Sequence, residues 1–335
     1  MREDRRAIPA GVRAAGSAGE FNKAENYKVA EDAAEMREFE GMAEENALAA
    51  DAADWIALAL ARNLDTLAAV RLLRAFGSPA ETLGASLTDL ARVAGMPAAE
   101  GVRAAARGLE EADDALEWLR GTPGARLITL ADPDFPARLV GTGRAPLALF
   151  ARGDASLLSG ELVAVVGAEA PTEEGARDAF EFARAISEAG ASVLAVVEEG
   201  VASAALSGAL SSRGGRPPTA LLATGLAKAP RGRAELQRAV LDAGGLLLSA
   251  EAPGSGQDEA SRRRRDGILA ALPGRLLLVE ASRRDPAVAV ARDAAGCGTA
   301  VGAIPGSIHA PLARGGNLLI REGAALVETV GDLLA

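Results

Sequence analysis

The stretch LVAVVGAEAPT (162–172) decides how the rest of the chain is read. Leu162 to Val166 is a run of apolar, mostly β-branched residues without alternation, the pattern of a strand buried on both faces. Gly167 ends it, and a polar turn through Pro171 and Thr172 leads into a helical pattern from Glu173. A strand, a glycine turn and a helix make the first unit of a Rossmann-like sheet, with amide N–H groups converging where a phosphate can sit. The spacing is not G-x-G-x-x-G, so the dinucleotide fingerprint is absent. On these residues alone the turn reads equally as a phosphate cradle or as a plain βα connection.

Working outward, strand and helix patterns alternate to the C-terminus. Strands are expected over 163–166, 192–197, 219–223, 246–248, 276–279 and 300–304. Helices fit between them over 173–189, 201–211, 231–243, 259–271 and 287–295. Right-handed crossovers on this order give a mostly parallel, doubly wound sheet. Upstream, short strands are expected at 127–130 and 146–150, with the rigid Asp132–Leu139 segment, DPDFPARL, between them. Before that the pattern is helical: Asp54 can cap one helix, Gly77-Ser78-Pro79 stops another, and Ser86 or Thr88 restarts the chain. LARVAGMPAAEGVRAAA (90–106) reads as helix, Gly95-Met96-Pro97 turn, helix, which fits a helix-hairpin-helix or a packing turn. Three regions follow: an acidic, partly helical or disordered extension over 1–50, a helix-hairpin-helix/SAM-like domain over 51–122, and the sheet domain with its lead-in strands over 123–335.

Composition narrows the chemistry. Thirty-six basic against 46 acidic residues give a net charge of −10, which disfavours indiscriminate nucleic-acid binding but leaves room for a local basic patch. Cys297 is the single cysteine and His309 the single histidine, so a disulfide framework, a Cys/His zinc site and a Ser-His-Asp triad lack material. No apolar run reaches the ~18 residues of a membrane span, and the charged N-terminus has no signal-peptide core; a cytoplasmic location is the expectation. No cofactor and no catalytic group is expected. Basic residues gather in three groups: Arg213 with Arg216; Arg231, Arg233 and Arg238; and Arg262–Arg265 with Arg283 and Arg284.

An ordered set of motifs resembles the DNA-processing protein A family (DprA, also called Smf). LLRAFGSP (72–79), LITLADPDFPARL (127–139), PLALFARGD (146–154), VAVVGAEAPTEEG (163–175), GGLLLSAE (244–251), LLLVEAS (276–282), AIPGS (303–307) and GGNLLIREGAALV (315–327) follow the family in order and spacing. The resemblance runs from about Trp55 to the C-terminus. It implies an extended Rossmann domain whose strand ends form a positive pocket for single-stranded DNA. It further implies a head-to-head homodimer and a RecA-type recombinase as partner. The phosphate-binding candidates this implies are Gly167, Thr172, Gly200, Arg265, Gly306 and Asn317, with Arg262, Arg263 and Arg264 just upstream of the family's Arg-Asn-Arg segment, in which Arg265 alone stays in register.

The departures concentrate in that pocket. Glu169 stands where the family has arginine. The family's Ser-Gly-Leu-Ala-x-Gly-Ile-Asp loop becomes 195–202, with Glu198 and Glu199 arriving and only Gly200 kept. Asp285-Pro286 replaces a hydroxyl-bearing Ser-Gly. Glu169, Glu198, Glu199 and Asp285 are all expected at strand C-terminal ends, where they repel a polyanion. Their spacing matches no calcium loop, and no metal is expected. Three functions follow: a single-stranded-DNA-binding protein of DNA processing, transformation or recombination; a divergent paralogue that kept the fold as a protein-interaction or regulatory module; or a Rossmann-like nucleotide binder. The acidic substitutions favour a turn at 167–172 that kept its geometry without its ligand.

Overall fold

The structure, a computed structural model, describes residues 52–335 except 109, 141, 143, 144, 230 and 231. The expected 1–50 extension and Arg231 lie outside the described residues. Helices come first: α1 (Ala52–Ala59), α2 (Thr66–Phe76), α3 (Pro79–Gly84), α4 (Leu87–Ala94), α5 (Met96–Ala105) and α6 (Glu110–Gly121). Two local expectations change here. Asp54 lies inside the first turn of α1 rather than before it. Gly77-Ser78-Pro79 is not only a stop: Gly77 closes α2, Ser78 accepts from the Glu81 N–H, and Pro79 opens α3. Proline suits a first helical turn because no intrahelical partner awaits its missing N–H. Ser86 caps α4 as expected. Gly95 alone separates α4 from α5, which already begins at Met96.

One nine-stranded sheet follows, built from β1 (Ala125–Thr129), β2 (Ala148–Gly153), β3 (Leu162–Val166), β4 (Ser192–Val196), β5 (Thr219–Leu222), β6 (Leu246–Ser249), β7 (Arg275–Leu278), β8 (Ala300–Ala303) and β9 (Ala325–Leu326). Their order is β1-β2-β6-β5-β4-β3-β7-β8-β9. β1 and β2 are the antiparallel lead-in, and β6 to β9 through β3 are parallel. The intervening helices are α7 (Ala137–Val140), α8 (Glu173–Glu188), α9 (Val201–Ser211), α10 (Ala234–Asp242), α11 (Glu259–Ala271), α12 (Pro286–Gly296), α13 (Ala313–Glu322) and α14 (Val330–Leu334).

Every residue of β3 is buried, and the alternation of side chains sorts them onto two faces. Leu162, Ala164 and Val166 share an apolar cluster with Ile268 and Leu269 of α11, Val288 and Ala291 of α12, and Leu319 of α13. Val163 and Val165 share the other with Ala183 and Ile186 of α8 and Ala205 and Leu206 of α9. The sheet is therefore doubly wound. Phe135, at 6% exposure, belongs with Leu130 and Leu139 to the first cluster, which also contains Trp55 and Leu72 of the helical region. The turn before Phe135 is set by Asp132, whose carboxylate accepts from the Thr129 N–H at 2.6 Å and its hydroxyl at 2.9 Å.

β3 is the first parallel strand. β4, β5 and β6 extend the sheet to one side of it, and β7, β8 and β9 to the other. The crossovers thus diverge between β3 and β7, and open α/β sheets take their ligands at the carboxyl side of such a point.

Candidate nucleic-acid interface

A crevice of about 380 Å³ opens at that point, with Gly167, Glu169, Glu198, Arg265, Asp266 and Asp285 among its walls. Two amides of the turn after β3 are directed to Glu280. The Ala168 N–H donates to the Glu280 carbonyl at 2.7 Å. The Thr172 N–H donates to Glu280 Oε2 at 2.9 Å, and the Thr172 hydroxyl to Oε1 at 2.8 Å. Thr172 Oγ1 in turn accepts from the Gly175 N–H, capping α8. A carboxylate from just after β7 thus binds the chain at Thr172, where α8 begins. Gly175 makes room for it, because a Cβ there would lie 2.3 Å from the Glu280 carboxyl carbon.

Gly200 serves the same wall from the β4 side. Its φ is +74°, and a Cβ would come within 2.3 Å of the Ala168 carbonyl oxygen and 2.4 Å of that of Glu169. The Val201 N–H closes the contact by donating to the Ala168 carbonyl at 3.1 Å.

Positive charge in the crevice is already matched. Arg265 is 8% exposed. It pairs with Glu198 and donates to Asp266 Oδ1 from Nε at 3.0 Å and Nη2 at 2.8 Å. Burial pushes the Asp266 carboxyl above the ordinary carboxylate range, against the opposing pull of Arg265. Arg264 grips Glu251 in a two-pronged pair with both contacts at 2.7 Å, and that hydrogen-bonding raises its own pKa further. Of the four expected phosphate-facing arginines, Arg264 and Arg265 are therefore held by carboxylates. Arg263 is exposed and pairs with Glu259 one turn back. Arg262 is exposed, with only a 3.4 Å contact to the Asp258 carbonyl.

The other expected positions are structural in their contacts. Asn317 donates from Nδ2 to the Gly306 carbonyl at 2.8 Å and accepts from the Gly306 N–H at 3.2 Å, so the two positions clamp each other. The four carboxylates follow the ends of β3, β4 and β7 as expected, and Glu169, Glu198 and Asp285 line the crevice. Glu169 is exposed at the crevice mouth. Asp285 caps α12, accepting from the Ala287 N–H. Glu199 does not line the crevice and pairs with Arg233 at 2.7 Å. Glu280 and Gly175 were not singled out from the sequence. The T-x-x-G spacing of Thr172 and Gly175 was the available signal, but the carboxylate it accommodates lies 108 residues away. His309 is exposed; Cys297, at the end of α12, is half-buried. Among the described residues no group of three metal-ligating side chains converges, and no helix is long and apolar enough to cross a membrane.

The strand order and the crevice at its switch point define an extended Rossmann-like protein with an antiparallel lead-in and a helical region before it. Residues 126–335 match the model of the family described as DNA recombination-mediator protein A, and the chain belongs to that family. It is 32% identical to Protein Smf of Escherichia coli K12 over 66% of this chain and 59% of that protein. It is 31% identical to the putative DNA processing protein DprA of Mycobacterium tuberculosis over 69% of this chain and 62% of that one. The matched region thus spans about three fifths of these relatives. The fold is similar to DNA processing protein A from Streptococcus pneumoniae, with a TM-score of 0.72 at 24% identity, covering 86% of this chain and 98% of that one. It is also similar to the Helicobacter pylori protein described for its single-stranded DNA binding mode, with a TM-score of 0.53 at 20% identity over 62% of this chain and 93% of that one.

Proposed function

We propose that this protein binds single-stranded DNA in DNA processing, transformation or recombination, and that it does so without catalysis. The exposed Arg262 and Arg263 on α11, beside the crevice in a chain of the recombination-mediator family, carry the reading. Phosphate contacts of this kind are indifferent to sequence. The crevice is a poor seat for a phosphate. Arg265 is neutralised there, while Glu169, Glu198, Asp266 and Asp285 line the walls. A strand is therefore taken at the rim of the switch point. Gly167, Thr172, Gly200, Gly306 and Asn317 shape the scaffold, and Arg264 and Arg265 hold it together. On this reading the working unit is a homodimer and the partner receiving the strand is a RecA-type recombinase, as the family resemblance implies.

The acidic crevice favours a second reading, a divergent paralogue that kept the fold as a protein-interaction or regulatory module. Fluorescence anisotropy with an oligo-dT strand across a salt series separates the two. Binding with a steep salt dependence is expected, and an Arg262→Ala/Arg263→Ala variant is expected to flatten the slope by about 1.4, at roughly 0.7 per single-strand phosphate contact. No binding at low salt would leave the second reading standing.

A further inference from the structure

α11, α12 and α13 pack on one face of the sheet, sharing the apolar cluster of Leu269, Val288 and Leu319. They follow β6, β7 and β8, which run in one direction. Their N-terminal ends consequently lie along the same edge of the sheet. Each presents arginine there: Arg262 on α11, Arg283 and Arg284 in the loop before α12, and Arg314 on α13. Arg321 continues the α13 stripe, since seven residues fall only ~20° short of two full turns. All five are exposed, and among the described residues none carries an ion pair.

The backbone brings the last two groups together. The Gly315 N–H donates to the Ala281 carbonyl at 2.8 Å, and a Cβ on Gly315 would lie 2.5 Å from that oxygen. Arg314 is thereby seated beside the 282–285 loop. Most carboxylates along this edge are engaged: Asp258 and Asp285 cap helices, Glu259 pairs with Arg263, and Glu322 is held by Arg292 at 2.6 and 2.8 Å, while Glu169 stands exposed at the crevice mouth. The Glu322 carboxyl sits below its usual range, first through that hydrogen bond and further through the charges of Arg321 and Arg283. Positive potential therefore accumulates here in a chain whose net charge is −10.

We propose that this arginine rim, running from Arg262 past Arg283 and Arg284 to Arg314 and Arg321, is the track for the phosphates of single-stranded DNA. The inference rests on the strand-binding reading above and assigns it a surface beyond α11. Neighbouring helix axes lie 8–10 Å apart, so the rim spans about 20 Å, enough for several nucleotides on a sequence-tolerant groove. The guanidinium fork suits phosphate oxygens better than a point charge does.

The test is anisotropy of labelled oligo-dT on the full chain across a salt series, with wild type, an Arg283→Ala/Arg284→Ala/Arg314→Ala variant, and the same three positions as lysine. Circular dichroism melts serve as the folding control. The alanine variant is expected to lose about 2 from the salt slope, at roughly 0.7 per phosphate, and the lysine variant to recover most of it. If the alanine variant matches wild type while Arg262→Ala/Arg263→Ala loses binding, the rim is overturned and the strand-binding reading survives. If wild type itself does not bind at low salt, both fall. Equal affinity for a duplex of the same length overturns the single-strand assignment.

Discussion

Arg262 and Arg265 stand one turn apart on α11 and meet opposite surroundings. Arg265 faces the crevice wall, buried between Glu198 and Asp266. Arg262 faces solvent at the rim, with no ion pair among the described residues. In the crevice, where an open α/β sheet ordinarily takes a ligand, the cation is held by carboxylates: Glu198 and Asp266 both engage Arg265, while Glu280 binds Thr172 at the adjoining turn. The rim keeps its cations free. The contrast teaches that an arginine's type and helix do not decide its role; what decides it is whether a crossover delivers a carboxylate to it.

The largest test of that contrast is Arg265→Ala. Removing Arg265 leaves two half-buried carboxylates without their donor, so a loss of about 1–3 kcal/mol is expected in urea unfolding. Arg262→Ala is expected to stay within about 0.5 kcal/mol of wild type, as exposed substitutions do. Equal effects at the two positions would erase the distinction between wall and rim.

Gly200→Ala should rank second. The left-handed backbone and the approach of the Ala168 and Glu169 carbonyls make a cost on the order of 1–3 kcal/mol. Gly256→Ala, where a Cβ meets nothing within 4 Å, provides the control and should melt like wild type.

The smallest effect concerns pH. Burial raises the Asp266 pKa, so the folded state binds this proton more tightly than the unfolded chain does. Its contribution to stability is fully present below the ordinary aspartate range and is lost as pH rises through the folded-state value. Asp266→Asn removes this titration. Its stability should decline less than that of wild type as pH is raised from about 4 towards neutral, measured as denaturant midpoints. Parallel curves for the two proteins would show that Asp266 does not titrate in the crevice wall.

Much of the scaffold was legible from residues alone. α9 and α11 occupy the expected 201–211 and 259–271, and the strands from β3 to β8 begin within one residue of their expected starts. Fully buried strands advertise themselves as unbroken apolar runs, and the Asp258 and Thr172 caps mark helix starts locally. α3 was hidden because a glycine-serine-proline sequence serves both as an ending and as a beginning. From its residues the 167–172 stretch reads as a turn without a ligand on account of Glu169, and the structure adds a contact at Thr172 that those residues do not announce. Glu169 is exposed at the mouth, and it is Glu280 that binds Thr172.

The succession of strands and helices, the doubly wound class and the family are legible in the residues, because burial patterns, caps and turns act over a few residues. Which charges remain available follows from the folded arrangement alone. Glu198 reaches Arg265 across 67 residues, Glu280 reaches Thr172 across 108, and Glu251 reaches Arg264 across 13. Electrostatic partners are chosen by crossovers that bring distant strand ends together, and neither composition nor local spacing records which carboxylate arrives beside which arginine.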